Sequence, residues 1–310
     1  MKFAFVFPGQ GSQSVGMLNA YGDAAAVRDT LAEASEVLGQ DLWAMVADGP
    51  LDFLNQTVNT QPVMLAAGVA VYRLWQHQGG PLPALMAGHS LGEYTALVCA
   101  GAINFADAIR LVRLRAEAMQ SAVPEGVGAM AAVLGLDDAA VRAVCAEAAQ
   151  GEVLEAVNFN SPGQVVIAGN KAAVERGCVL AKEKGAKRAL PLPVSVPSHC
   201  VLMKSAAEKL RVALSAVEVK TPILPVLHNA DVLSYTDPDA IRDALARQLY
   251  SPVRWVETVQ AMSAQGVALV AECGPGKVLA GLNKRIVDGM LGVAIADAAS
   301  LADTLEKIKA

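Results

Sequence analysis

A serine set between two glycines is the first place in this chain where residue types and spacing could do chemistry. Gly88-His89-Ser90-Leu91-Gly92 fits the pattern G-x-S-x-G. A short apolar run, Pro83 to His89, precedes the serine, and a helical stretch, Leu91 to Ala100, follows it. In that strand–turn–helix setting a sharp bend exposes the hydroxyl, and the glycines let strand and helix approach closely. The helix start leaves the backbone N–H of Leu91 without an intrahelical acceptor, suited to a developing oxyanion. A serine nucleophile also needs a base. Histidines stand at 77, 89, 199 and 228. His89 adjoins the serine but points elsewhere from the elbow, which suits a structural hydrogen bond beneath the turn. His77 lies at a Gln-rich helix end, and His228 ends a candidate strand, where core and cleft both remain open. His199 follows Val194-Ser195-Val196-Pro197-Ser198 and opens a helical stretch from about Cys200 to Val217. With Ser198 as its cap, His199 is predicted in the first helical turn, where the dipole favours the neutral imidazole of a general base. No Asp or Glu stands out as a third member, and a backbone carbonyl would serve to orient the ring.

Arg115 is the second chemical signal. Asn104 is a plausible N-cap, with Asp107 three residues on, for a helix to about Ser121. Ala108, Leu111, Val112, Ala116 and Met119 then share one face, and Arg115 falls inside that stripe. Arg110 points to the opposite side, and Arg113 lies beyond the edge. A guanidinium within an apolar stripe must be paired. Its partner is either an internal Asp or Glu or the carboxylate of a ligand, which it matches with two parallel hydrogen bonds.

The elements that would position these groups alternate between strand and helix, predicting a parallel, helix-covered sheet. Lys2 to Phe7 reads as a buried strand stopped by Pro8 and Gly9. Helical patterning covers residues 23–38 and 61–77. The middle differs: Val127–Leu136, Val153–Phe159, Val165–Ala168 and Lys187–Pro193 read as strands, Asp138–Ala149 and Ala172–Lys184 as helices. That order, β-α-β-β-α-β, is the ferredoxin-like split motif. Prolines and glycines flank it, so residues 125–196 are predicted to form an inserted subdomain. Residues 1–124 and 197–310 form the α/β core, with later strands near Pro225–Asn229, Ala268–Cys273 and Val293–Ala296.

Bulk properties narrow the function classes. Of 310 residues, 54% are hydrophobic and 18% charged, enough apolar material for a large core and too much for a disordered chain. Mean hydropathy is +0.37, yet no apolar run reaches about 18 residues and no signal peptide is evident, so a cytoplasmic protein off the membrane is expected. Cys99, Cys145, Cys178, Cys200 and Cys273 show no C-x-x-C spacing and fit a reducing compartment. The scattered histidines offer no metal-ligand spacing. A net charge of −5 argues against nucleic acid as a partner.

Taken together, Phe5-Val6-Phe7-Pro8-Gly9-Gln10-Gly11-Ser12-Gln13, Gly88-His89-Ser90-Leu91-Gly92-Glu93-Tyr94 and Val196-Pro197-Ser198-His199 resemble the malonyl-coenzyme A:acyl carrier protein transacylases of bacterial fatty acid synthesis. Asn158-Phe159-Asn160-Ser161-Pro162-Gly163-Gln164, the run from Gln248 to Trp255, and Glu272-Cys273-Gly274-Pro275-Gly276 fit the same family, in order, over nearly the whole chain. Ser198 and Cys200 flank the histidine at positions that vary in the family. The resemblance implies an α/β-hydrolase-like core with a ferredoxin-like insertion. It makes Ser90 the acylated nucleophile, His199 its base, and Gln248 the residue whose main-chain carbonyl orients the base. It assigns the oxyanion hole to the N–H groups of Gln10 and Leu91, and malonyl binding to Arg115 with Asn158. Malonyl-CoA and holo acyl carrier protein become the partners, a coenzyme A thioester the substrate, with no permanently bound cofactor and no metal, and with the chain acting as a monomer. An acidic carrier needs a basic dock, for which Lys182, Lys184, Lys187 and Arg188 on the insertion, or Lys277, Lys284 and Arg285 on the core, are candidates. A malonyl transferase serving malonate decarboxylase or polyketide synthesis would share these motifs. A serine esterase or thioesterase would prefer water and tolerate loss of Arg115, and a non-enzymatic interaction protein would not react with acyl-coenzyme A.

Overall fold

The computed structural model describes residues 1–194 and 196–309; Ser195 and Ala310 lie outside them. Nine strands are present among these residues: β1 (Phe3–Phe7), β2 (Leu85–Gly88), β3 (Gly128–Leu134), β4 (Leu154–Ser161), β5 (Gln164–Asn170), β6 (Arg188–Pro191), β7 (Val226–Leu227), β8 (Leu269–Cys273) and β9 (Leu291–Ile295). They form two sheets. The larger has the order β7-β2-β1-β8-β9, with every pairing parallel. Strand β1 is central and wholly buried, as its uninterrupted apolar sequence requires of a strand covered on both faces. Its side chains divide by alternation. Phe3, Phe5 and Phe7 join one hydrophobic cluster, whereas Ala4 and Val6 join the other with Val259 and Met262. Phe5 meets Trp75 edge-on at 5.1 Å and Tyr72 at 5.9 Å. Burying each such side chain contributes about 1.5–3 kcal/mol. Tyr72 and Trp75 belong to the helix Thr57–His77, which starts four residues earlier than the sequence pattern suggests and carries Pro62 in its second turn.

The smaller sheet has the order β4-β5-β3-β6 and is antiparallel throughout. With the helices Asp138–Ala149 and Lys171–Glu183 between its strands, this is the expected ferredoxin-like arrangement. Ala131, Val133, Val165 and Ile167 on one face pack against those helices. Met130, Val157, Val166 and Ala168 on the other face pack with Cys200, close to the core. Strand β4 is bonded to a core segment between two helices. Phe159 N–H donates to the carbonyl of Val253 at 3.0 Å, and Val253 N–H donates to the carbonyl of Val157 at 2.8 Å. The insertion is thereby fixed to the chain segment that begins at Gln248.

The ends of β1 and β2 and the start of the helix Gly92–Cys99 interlock too closely for side chains. A Cβ on Gly88 would lie 1.8 Å from the carbonyl carbon of Gly92, and one on Gly92 would lie 2.0 Å from the carbonyl oxygen of Phe7. Those two glycines let the turn between them protrude. Two local expectations change. The strand expected over Pro225–Asn229 contracts to Val226–Leu227, because His228 and Asn229 turn their side chains to other partners. The helix after His199 begins only at Lys204, behind a short 3-10 turn over Val201–Met203. Among the described residues no helix is long and apolar enough to cross a membrane, and all five cysteines are free and buried.

Candidate active site

Ser90 sits at the tip of the turn with φ of 52°, the left-handed conformation of a strained elbow. Asn229 braces both sides of it. Its Oδ1 accepts from Ser90 N–H at 2.7 Å, and its Nδ2 donates to the carbonyl of Gly88 at 2.7 Å. Ser90 Oγ lies 2.8 Å from His199 Nε2. His199 Nδ1 lies 2.9 Å from the main-chain carbonyl of Gln248, so with Nδ1 donating there, Nε2 is the nitrogen free to take the serine proton. The imidazole is not in a helical turn, contrary to the expectation from Ser198 as a cap. His199 has φ of 66°, and its own N–H donates to the carbonyl of Leu249 at 3.0 Å. Its neutrality therefore has another cause. Burial, and next the Arg115 charge, hold the imidazole down at about 3.

His89 points sideways toward the insertion rather than beneath the turn, with Nε2 2.8 Å from Asn160 Oδ1 on β4. His228 is core: it is buried, with Nδ1 2.7 Å from Glu93 Oε1. The N–H groups of Gln10 and Leu91 find no acceptor among the described residues, and both residues line the cleft with Ser90. Asn158 lines the opposite wall, and its buried Oδ1 has no partner among the described residues.

Arg115 projects from the helix Phe105–Gln120, which Asn104 caps by accepting from Ala106 N–H at 3.0 Å. The residue is 1% exposed, inside the apolar stripe. No Asp or Glu pairs with it among the described residues. Two neutral amides hold it instead: Nη1 donates to Gln61 Oε1 at 2.8 Å and Nη2 to Gln248 Oε1 at 2.9 Å. The guanidinium lies over the Tyr94 ring at 5.4 Å, and Nη2 reaches Ser90 Oγ at 3.3 Å. Nη1 keeps a second N–H, and the second N–H of Nη2 is spent only on the longer contact with Ser90 Oγ, so a carboxylate beside Ser90 would accept from both terminal nitrogens once it displaced that contact.

The cleft has two parts. An inner chamber of about 120 Å³ is lined by Gln61, Ser90, Leu91, Arg115, Met119 and His199. A wider mouth of about 520 Å³ opens from it past Gln10, His89 and Asn158, between β5 of the insertion and the core helix Val278–Asn283. Glu272 secures that helix: Oε2 accepts from Ala280 N–H at 2.8 Å, and burial lifts its carboxyl to about 7.

Gln61, Glu93 and Asn229, and the side chain of Gln248, were not singled out by sequence reasoning as site residues. Glu93 and Asn229 carry faint signals, one following the serine by three positions and the other adjoining a histidine. Gln61 and the Gln248 side chain carry none, because amides are common on helices and only the fold brings these two to one guanidinium.

Known proteins resemble this chain over nearly its whole length. The model of the acyl transferase domain family matches residues 4–303. A malonyl CoA-acyl carrier protein transacylase of Escherichia coli (strain K12) is 60% identical over 309 residues, covering 98% of this chain and 99% of that protein. The crystal structure of an acyl-carrier-protein S-malonyltransferase from Burkholderia pseudomallei superposes with a TM-score of 0.97 at 64% identity, covering 99% of this chain and 100% of the other. A malonyl-transacylase solved in complex with its type II PKS acyl-carrier protein superposes with a TM-score of 0.98 at 58% identity, covering 99% and 100%.

Proposed function

Because this chain belongs to the malonyl CoA-acyl carrier protein transacylases, we propose that it carries malonyl from coenzyme A to a carrier-protein thiol by way of an ester on Ser90. The observation that supports the covalent route is the 2.8 Å contact of Ser90 Oγ with a buried, neutral His199. Ser90 attacks the thioester carbonyl while its proton passes to His199 Nε2. The oxyanion meets the N–H groups of Gln10 and Leu91, each such donor contributing about 10²–10³ in rate. The C–S bond then breaks, and the departing thiolate takes the proton from His199. In the second half the pantetheine thiol gives its proton to His199, attacks the ester and leaves Ser90 protonated. Arg115 receives the malonyl carboxylate in both halves, and Asn158 faces the acyl thioester from the insertion. A cytoplasmic location is supported by the composition and the free thiols, while the monomeric state and the lack of a resident cofactor are carried over from the family resemblance alone.

The register of the insertion sheet separates the basic candidates. Gln164 pairs with Leu134, which also pairs with Arg188, so all three share one face. That is the face of Ala132 and Val166, which line the mouth. Arg285 reaches the same rim, donating to Gln164 Oε1 at 2.7 Å, with Lys277 and Lys284 exposed beside it. Lys182 lies on the helix layer behind the sheet, and Lys184 just beyond that helix pairs with Glu147 at 3.3 Å; Lys187 precedes β6. Arg188, Lys277, Lys284 and Arg285 are therefore the favoured dock. Joint Arg188→Glu and Arg285→Glu substitution is expected to raise the carrier KM about tenfold or more, an effect that salt mimics. The same change at Lys182 and Lys184 should move it under about twofold, and equal effects would reverse the choice.

The decisive experiment is intact mass after mixing with malonyl-CoA. An adduct of about 86 Da that holo carrier protein discharges is the expected result of covalent transfer. Absence of any adduct would end the ping-pong reading. The similarity to a transacylase bound to a type II PKS carrier supports polyketide carriers as a second acceptor class. Discharge by one carrier class and not the other would decide between them.

A further inference from the structure

We propose that Glu93 is a positioning residue for the malonyl carboxylate: it fixes the side-chain amide of Gln248 so that Oε1 faces Arg115. The inference rests on the reading of Arg115 as the group that binds malonate. Glu93 is fully buried one helical turn after Ser90 and lies behind the elbow, outside the cleft. Its Oε1 meets His228 Nδ1 at 2.7 Å, and its Oε2 accepts from Asn229 N–H at 2.9 Å and from Gln248 Nε2 at 2.9 Å. Gln248 Nε2 also donates to the main-chain carbonyl of Ser90 at 2.9 Å, and Gln248 Oε1 accepts from Arg115 Nη2 at 2.9 Å.

The two ends of a glutamine amide have nearly the same shape and opposite polarity, so its orientation is decided by its neighbours. Here acceptors lie on one side and a guanidinium on the other. Rotating the amide by half a turn would set NH₂ against the Arg115 donors and Oε1 against Glu93 and the Ser90 carbonyl. All of these groups are buried, where mismatched polar contacts are costly. With the acceptor at Glu93 in place, Gln248 is bound to present oxygen to Arg115. One N–H of Nη2 is then held by Oε1, which aims the guanidinium plane toward Ser90. The same residue's backbone carbonyl orients His199, so Glu93 acts through Gln248 on the anion site next to the base.

The acceptor, rather than the charge, is what the role needs, and two substitutions separate them. Glu93→Gln keeps an oxygen for Asn229 and Gln248. Its NH₂ faces His228, whose Nε2 has no partner among the described residues, so the ring can hold its proton there and accept at Nδ1. Glu93→Met keeps the volume and removes the acceptor. Acylation of Ser90 is measured with malonyl-CoA and with acetyl-CoA, alongside thermal unfolding. Glu93→Met is expected to lower the malonyl-to-acetyl preference at least about 30-fold, mainly through the malonyl KM. Glu93→Gln should stay within about threefold of the parent. Gln248→Leu, which leaves Glu93 in place, should lose malonyl preference as Glu93→Met does, and it serves as the test if Glu93→Met does not fold. Equal losses with both donors in Glu93→Met would reduce Glu93 to support of the elbow and overturn the proposal. So would equal loss of preference in Glu93→Gln, or retained preference in Gln248→Leu. If Arg115→Ala itself keeps the malonyl preference, the carboxylate reading fails and takes this inference with it. If only Arg115→Ala loses it, the present proposal alone is overturned.

Discussion

Replacing Ser90 by alanine should abolish the malonyl adduct and lower transfer to carrier protein by at least about 10⁴-fold, and adding His199→Ala to that variant should cost almost nothing more. The first half follows from covalent catalysis: without Oγ there is no ester to form. The second follows from the 2.8 Å contact between Oγ and Nε2. Groups that act as a unit lose their whole joint contribution when either is removed, so their effects do not add. His199→Ala alone should fall nearly as far, because a neutral hydroxyl is a weak nucleophile without a base. What survives in all three variants is the cradle of Gln10 and Leu91 N–H groups, which still favours an oxyanion over a planar thioester. The measurements are intact mass after malonyl-CoA and steady-state transfer for the two single variants and the double. An adduct that persists in Ser90→Ala would move the nucleophile to another residue. A double variant that loses the sum of the two single losses would show that Ser90 and His199 act independently, and the dyad would be wrong.

Much of this architecture is legible in the sequence. The helix Asp138–Ala149 spans what its pattern spans: Asp137 caps its start by accepting from Ala140 N–H, apolar residues recur at helical spacing, and Gln150 closes it in a left-handed conformation. Strand β1 was legible because five apolar residues stop at Pro8-Gly9. Arg115 was legible as an arginine in an apolar stripe, a local feature of one helix. Legibility failed where a residue's role depends on what arrives from elsewhere in the chain. Ser198 followed by a histidine reads locally as a cap, yet the hydrogen bond of His199 N–H to Leu249 O, 50 residues away, holds the backbone in a left-handed turn. The same applies to His89, drawn sideways by Asn160 on a different sheet, and to the two glutamines that converge on Arg115 from residues 61 and 248. Hydrophobic periodicity reports which face of an element is buried. It is silent on which buried polar groups meet there, and the active site is made of such meetings.

Arg115→Ala should reverse the acyl preference and also change the basicity of His199. Its guanidinium is buried with two amide oxygens and the Ser90 hydroxyl as its neutral partners, so a malonyl carboxylate gains charge-assisted hydrogen bonds that an acetyl group cannot offer. A mismatch of this kind costs on the order of 2–5 kcal/mol, which corresponds to a fall of about 30- to several-thousand-fold in malonyl kcat/KM. The charge has a second effect. After burial, Arg115 is the largest influence holding His199 down at about 3, and a base so weak is a poor acceptor for the serine proton. A bound malonyl carboxylate offsets that charge and lets the imidazole become more basic as the substrate arrives, whereas acetyl leaves it depressed. Removing the guanidinium has the same sign: the imidazole rises toward its ordinary range, and it is protonated and inactive below its pKa. With acetyl-CoA as donor, the acid limb of the acylation rate should therefore lie at higher pH in Arg115→Ala than in the parent. At neutral pH, acetyl transfer should be equal or faster in the variant even as malonyl transfer collapses. Coincident acid limbs would remove the electrostatic link between arginine and histidine and leave hydrogen bonding as the sole source of selectivity. A limb displaced to lower pH would contradict the sign of the coupling itself.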